Sequence, residues 1–189
     1  KGAVEALTEI KSDITLIGDE KAIKDVLAGL SYDQARIEII HTTEVIENKD
    51  KPVKAIKAKD DASMVVGLKT VREKHVDALV SAGNTGALLV GSLLKVGRIK
   101  GIDRPALGSI YPNSEGISVL IDAGANADCK ARNLKEFGIM GSIYAESVFE
   151  INNPRVGLVN IGAEEGKGNS LVIEAYGLLR ESKINFIGN

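Results

Sequence analysis

The chain has 189 residues, 44% of them hydrophobic, enough to bury a substantial core in one globular domain. Lys and Arg total 24 against 26 Asp and Glu, and the pI near 5.8 leaves no global basic field of the kind nucleic-acid binding uses. Cys129 stands alone, so there is no internal disulfide. His41 and His75 lie far apart and suggest no zinc cluster, and no apolar run reaches the roughly 18 residues of a membrane span. A protein of the reducing cytoplasm is expected, with peripheral membrane contact left open.

In chain order, "KGAVEALTEIK" (1–11) has helical spacing but starts without a capping residue or initiator Met, so a piece of a longer protein is expected. "ITLIG" (14–18) and "IEIIH" (37–41) read as strands, with a helix over 20–30 between them. Residues 61–74 have helical spacing, "DALVSAG" (77–83) reads as a strand, and 85–96 as the helix after it. "PALGSIY" (105–111) and "ISVLIDAG" (117–124) are strands whose link "PNSEG" is too short for a crossover and predicts a hairpin or bent extension. A helix over 132–150, a strand at "RVGLVNIG" (155–162), a helix over 169–182 and a strand at "INFIG" (184–188) complete the order. Alternation of this kind predicts a single α/β domain over 1–189: a layered, Rossmann-like, mostly parallel sheet with helices on both faces.

In open α/β sheets ligands sit beyond the carboxyl ends of the strands, so the strand-to-helix turns are where a site is sought. Four turns pair glycine with Asn, Asp, Ser or Thr: "SAGNTGA" (81–87), "DAGANADCK" (122–130), "NIGAEEGKGNS" (160–170) and "IGN" (187–189). In a parallel sheet all four open on one edge. At the first, Gly83 and Gly86 permit close backbone approach, the helix start near Thr85 favours an anion, and Ser81, Asn84 and Thr85 add side-chain donors. The alternative for this turn is plain helix capping by Asn84 or Thr85.

"NIGAEEGKGNS" imitates a Walker loop but fails it. The span from Gly162 to Gly166 is one residue short, and Gly168 stands where the metal-binding hydroxyl belongs, so ATP is not expected. Glu164 and Glu165 would repel a polyphosphate unless their side chains turn away or bond neighbouring loops. Lys167 is a cation that can steady a phosphate or a developing oxyanion, or else an ordinary exposed lysine. Asp122 ends a strand beside Gly124 and Asn126 and can act as a base, orient a donor, or cap the next segment. Cys129 is either an acyl-accepting thiol or an inert, half-buried one, with no histidine near it in sequence. Neither G-x-S-x-G nor a G-x-G-x-x-G after a strand occurs, which speaks against hydrolase and dinucleotide readings. Two stretches are locally basic, "NKDKPVKAIKAKDD" with Lys54 and Lys57, and "GRIKGIDRP" with Arg98, Lys100 and Arg104; each is a solvated face or a dock for an acidic protein or anionic lipid.

"SAGNTGALLVGSLLKVGRIKGIDRPAL" (81–107), "DAGANADCK", "GIMGSIYAE" (138–146), "NPRVGLVNIGAEEGKGN" (153–169) and "INFIGN" (184–189) closely resemble the PlsX family of phosphate acyltransferases. The resemblance covers nearly the whole chain. It implies an enzyme that passes a long-chain fatty acyl group from acyl-carrier-protein to inorganic phosphate, the acyl phosphate feeding a glycerol-3-phosphate acyltransferase and so phosphatidic acid synthesis. It also implies a fold like phosphotransacetylases and the isocitrate and isopropylmalate dehydrogenases, a homodimer, and peripheral contact with the inner face of the cell membrane. No cofactor and no metal is called for, because phosphate is already anionic.

The implied roles are phosphate binding for Ser81, Gly83, Asn84, Thr85, Gly86, Asn169 and Asn189, catalysis for Lys167, and orientation of the nucleophile for Asp122 or Asn126. Carrier-protein docking falls to Lys54, Lys57, Arg98, Lys100 or Arg104. An early "DAMGGD" turn and a late "GFTGN" turn of the family pattern are absent, so the function is expected of the longer parent protein. Competing readings are a short-chain, coenzyme A-dependent phosphotransacetylase and a phosphate-binding module without chemistry.

Overall fold

A computed structural model describes residues 1–114 and 116–189. The chain divides into two compact units, Lys1–Gly97 and Arg98–Asn189.

In the first unit, β1 (Ile14–Gly18) and β2 (Ile37–His41) pair in parallel, Ile14 opposite Ile37 through Gly18 opposite His41. The connection between them runs through α2 (Glu20–Leu27), which starts because the Asp19 carboxylate accepts from the Ala22 amide at 2.7 Å. A short α1 (Gly2–Ala6) precedes β1. The core of this unit lies among α3 (Pro52–Ala58), α4 (Ser63–Arg72) and α5 (Thr85–Gly91), where Ile56, Val65, Leu68 and Ala87 are buried. Past Gly91 the helix loosens into a π-helical turn, Ser92–Val96.

Two expectations change here. Helix α3 falls in the lysine-rich stretch that reads as a solvated charge run. Pro52 at its first turn and the buried pair Ala55 and Ile56 make it a core element with lysines only on its outer side. Residues 77–83, expected as a strand, find no ladder partner among the described residues. Leu79 packs on the core while Val80 is 95% exposed, so the segment is anchored at one side chain and not by hydrogen bonds along its length.

Gly91 shows how closely these helices approach. A Cβ there would stand 2.5 Å from Leu68 Cδ1 and 2.9 Å from Ile56 Cδ1, both on side chains with no room to retreat. Gly91→Val is expected to cost about 1–3 kcal/mol by overpacking, more than the helix-propensity gain of leaving glycine returns, and urea unfolding would read it as a lower midpoint.

In the second unit, β3 (Gly108–Asn113) and β4 (Gly116–Ile121) form the expected antiparallel hairpin; Glu115 of the "PNSEG" link lies outside the described residues. Helix α6 (Ala131–Phe149) is the longest element and packs on β4, β5 (Arg155–Gly157) and α7 (Ser170–Arg180). Gly138 lets α6 and α7 meet, since a Cβ would sit 2.8 Å from Leu179 Cδ2. Strand β5 pairs in parallel with β6 (Asn185–Gly188), and Tyr176 of α7 closes on Phe186 edge to face at 5.1 Å.

The strand expected over 155–162 stops at Gly157. A register shift falls between Val156 and Gly157, and from Asn160 onward side-chain hydrogen bonds to the local backbone replace the ladder. Among the described residues the named strands form two parallel pairs and one hairpin, with helices between the pairs: an α/β fold with a mixed strand set.

Candidate active site

The four glycine-rich turns divide between the units, 81–87 in the first and the other three in the second. In the first turn, Asn84 caps α5, its Oδ1 accepting from the Ala87 amide at 3.1 Å while Nδ2 donates to the Asn48 carbonyl at 3.4 Å. Ser81 Oγ donates to the Gly83 carbonyl at 3.1 Å. Gly83 has φ +148°, and a Cβ on Gly86 would stand 3.1 Å from Pro52 Cγ, so the turn is seated on the start of α3. Gly83 and Thr85 are exposed, so the backbone of this turn is open to solvent there.

The second turn is built around Asp122. Its Oδ1 accepts from the Leu107 and Ala125 amides at 2.8 and 3.1 Å, and its Oδ2 from the Asn126 amide and Nδ2 at 2.7 and 3.0 Å. Burial pushes this carboxyl up, but the hydrogen bonds from Leu107, Asn126 and Ala125 outweigh it and hold the group below the usual aspartate value. The second Asn126 amide hydrogen goes to the Pro105 carbonyl at 2.9 Å. The Asp122 carboxylate and the Asn126 side-chain nitrogen thus join 105–107 to 122–126. Cys129 is half-buried; burial pushes its thiol up against the pull of Arg104, so it carries little thiolate at neutral pH.

The third turn presents Lys167 at the surface. Its side chain is half exposed, with Glu164 the nearest acid at 3.8 Å. Glu165 turns away to Arg180, 2.7 Å distant on α7, which answers the repulsion that the Glu pair raises in sequence. Asn169 caps α7 by accepting from the Val172 amide at 3.0 Å, leaving its amide hydrogens to donate. Asn189 donates to the Glu164 carbonyl at 2.8 Å, which binds the fourth turn to the third.

An open depression of about 1150 Å³ in this unit is lined by β4, α6, β5 and the start of α7. Asp122 and Asn126 stand beside Val119, Ile121, Leu158 and Leu171 on its wall, so the second turn and the start of α7 share one surface. Lys167 and Asn169 are not among its lining residues. Among the described residues no group of His, Cys, Asp and Glu is placed to hold a metal.

The basic residues separate by partner. Arg98 donates to the Asp103 carbonyl, and Arg104 to the Asp128 carbonyl at 2.7 Å, so both brace loops. Lys54, Lys57 and Lys100 are exposed. Sequence reasoning missed the cluster behind the arginines. Buried Glu136 accepts from the Asp103 amide and from Arg132, both at 2.8 Å, while buried Asn133 donates to the Asp103 carboxylate at 3.0 Å. Within α6 these are i and i+3 positions on a helix whose polar residues read as solvent-facing, and nothing in the spacing marks them as buried.

A family model described as fatty acid synthesis protein matches residues 1–189. The chain belongs to this family. PlsX relatives named phosphate acyltransferase align over the whole chain, at 60% identity in Alkaliphilus oremlandii and 52% in Clostridioides difficile. The chain spans 56% of the length of each. Two solved structures share its fold: EutD phosphotransacetylase from Staphylococcus aureus and a phosphotransacetylase from Streptococcus pyogenes. The first has TM-score 0.71 at 18% identity, covering 98% of this chain and 62% of that one. The second has TM-score 0.67 at 14% identity, covering 100% and 70%. The chain therefore has the α/β fold that its element order predicts, and no described helix is long and apolar enough to cross a membrane.

Proposed function

We propose that the full-length protein transfers a long-chain fatty acyl group from acyl-carrier-protein to inorganic phosphate, giving acyl phosphate for phosphatidic acid synthesis. The observation that carries this reading is the match to phosphate acyltransferases along all 189 residues, at 60% identity to the Alkaliphilus oremlandii relative. A phosphate oxygen attacks the thioester carbonyl carbon, forming a C–O bond and a tetrahedral oxyanion; collapse breaks the C–S bond, and the carrier's thiolate leaves and takes a proton from water. Phosphate is assigned to the second unit, to the amide hydrogens of Asn169 in the turn that carries Lys167; the first unit's turn of Ser81, Gly83, Asn84, Thr85 and Gly86 is a phosphate-binding candidate by itself. Lys167 lowers the repulsion between phosphate and the incoming thioester and stabilises the oxyanion. Asp122 and Asn126 serve by building the turn beside the acyl group, and Asn189 by holding the Lys167 loop.

Val119, Ile121, Leu158 and Leu171 on the wall of the open depression offer apolar surface to a long acyl chain. Lys54, Lys57 and Lys100 are the docking candidates for the acidic carrier, because Arg98 and Arg104 already have internal partners. Homodimerisation, membrane contact and hand-over to a glycerol-3-phosphate acyltransferase belong to the same proposal for the whole protein.

Phosphorus NMR of the full-length protein with long-chain acyl-carrier-protein and phosphate is expected to show a new acyl-phosphate resonance. Product from acetyl-coenzyme A alone would select the phosphotransacetylase reading, and phosphate line broadening without product from either donor would select a binding module.

A further inference from the structure

Lys167 is the cation the motif draws attention to, but a different residue fixes where it stands. We propose that Asn160, at the exit of β5, is the positioning residue of the Lys167 loop: it latches the backbone that carries the lysine, and turnover depends on that latch. The inference rests on the acyltransferase reading above for its catalytic consequence, and on geometry alone for the latch.

Asn160 uses both ends of its amide within the loop. Nδ2 donates to the Lys167 carbonyl at 2.9 Å, and Oδ1 accepts from the Ile161 amide at 2.8 Å, so one half-buried side chain ties the loop's first residue to its seventh. The next residue is shaped around it. Gly168 has φ +94°, and a Cβ there would stand 2.6 Å from Asn160 Oδ1 and 3.1 Å from Val172 Cβ, so only glycine leaves the amide its place.

The lysine side chain is guided as well. A Cβ on Gly162 would lie 3.0 Å from Lys167 Cγ and 3.2 Å from Cε, which places the aliphatic stem of the lysine across Gly162. The Glu164 carbonyl accepts from the Lys167 amide at 3.0 Å and from Asn189 at 2.8 Å, pinning the middle of the loop. Backbone and stem are thus held while the ammonium stays half exposed, with one loose acid at 3.8 Å. That is an exposed charge on a loop held by hydrogen bonds, the arrangement that reaction through an oriented cation needs.

The Asn160 amide is bonded to the Lys167 carbonyl and the Ile161 amide, so its effect on turnover passes through Lys167. The test uses the full-length protein with Asn160→Asp, which keeps the acceptor for the Ile161 amide but turns the donor toward Lys167 into an acceptor. Asn160→Ala is the second variant, free of added charge. Kinetics are read as kcat and KM for phosphate, alone and in a Lys167→Ala background, and backbone hydrogen exchange is followed over 161–168 and over α6.

Both variants are expected to lose about 10- to 100-fold in kcat, the scale of a misplacement near 1 Å, with KM for phosphate changed less than about threefold. Exchange is expected to quicken over 161–168 and stay slow over α6, and Asn160→Ala is expected to add little to Lys167→Ala. Full additivity of the two losses, or kcat unchanged with a loosened loop, would overturn the positioning role. Exchange unchanged over 161–168 would overturn the latch whatever the turnover. A wild type that makes no acyl phosphate removes the acyltransferase reading and the catalytic role of Asn160 together, while the exchange result still decides the latch.

Discussion

Lys167→Ala in the full-length protein is expected to lower kcat for acyl-phosphate formation by about 100- to 1,000-fold, the cost of removing one preorganised stabiliser of a tetrahedral oxyanion. Its stability is expected to stay within about 0.5 kcal/mol of the parent, because the side chain is half exposed and its one acid partner lies at 3.8 Å on the surface. The separation of the two effects is what identifies a catalytic lysine, since an ordinary loop lysine would move neither. Lys167→Arg should recover only part of the loss: the guanidinium keeps the charge but is broader and planar, and the stem must still pass over Gly162. The measurement is the initial growth of the acyl-phosphate resonance at saturating donor, with a thermal unfolding scan of each variant. Retention of more than about a tenth of the parent rate would return Lys167 to the role of a solvated surface charge.

How far the sequence discloses this site depends on the kind of signal involved. Strands β1 and β2 and helices α6 and α7 were legible because consecutive apolar residues and helical spacing are local properties of the chain. Helix α3 was hidden by its lysines, although Ala55 and Ile56 are buried beneath them, since a charge run looks the same whether or not one side of it packs. The 77–83 segment was apolar enough for a strand, but a ladder needs a partner, and partners are not written in a segment. The same limit separates Lys167 from Asn160. The lysine stands out as a cation in a glycine-rich loop, whereas Asn160 matters through a hydrogen bond to a residue seven positions on. Asp122 shows the opposite case: its turn was legible, and the four hydrogen bonds its carboxylate accepts distinguish a builder from a base.

That distinction carries the second large effect. Asp122→Ala is expected to destabilise the second unit by about 2–4 kcal/mol, because it strips acceptors from the Leu107, Ala125 and Asn126 amides in a partly buried turn, each of which costs about 1–3 kcal/mol when left unpaired out of reach of water. Asp122→Asn, nearly isosteric, should cost less in packing but must point a donor at one of those donors. The pH dependence has a definite sign. The folded carboxyl sits below its ordinary value of 3.8, so the unfolded chain binds the proton more readily than the folded one. The contribution of Asp122 is therefore complete above pH 5 and is lost as the pH falls through the unfolded and then the folded value. Asp50, Asp60, Asp61 and Asp103 are held low as well, by lysine, threonine or asparagine partners, so acid weakens the whole protein. The difference in urea midpoint between parent and Asp122→Asn isolates the one group: it should be large at pH 7 and shrink toward pH 3. A general base would behave otherwise. Its removal would abolish turnover at pH 7 while the midpoint stayed where it was, and that pair of results would move Asp122 from the scaffold of the turn to the chemistry.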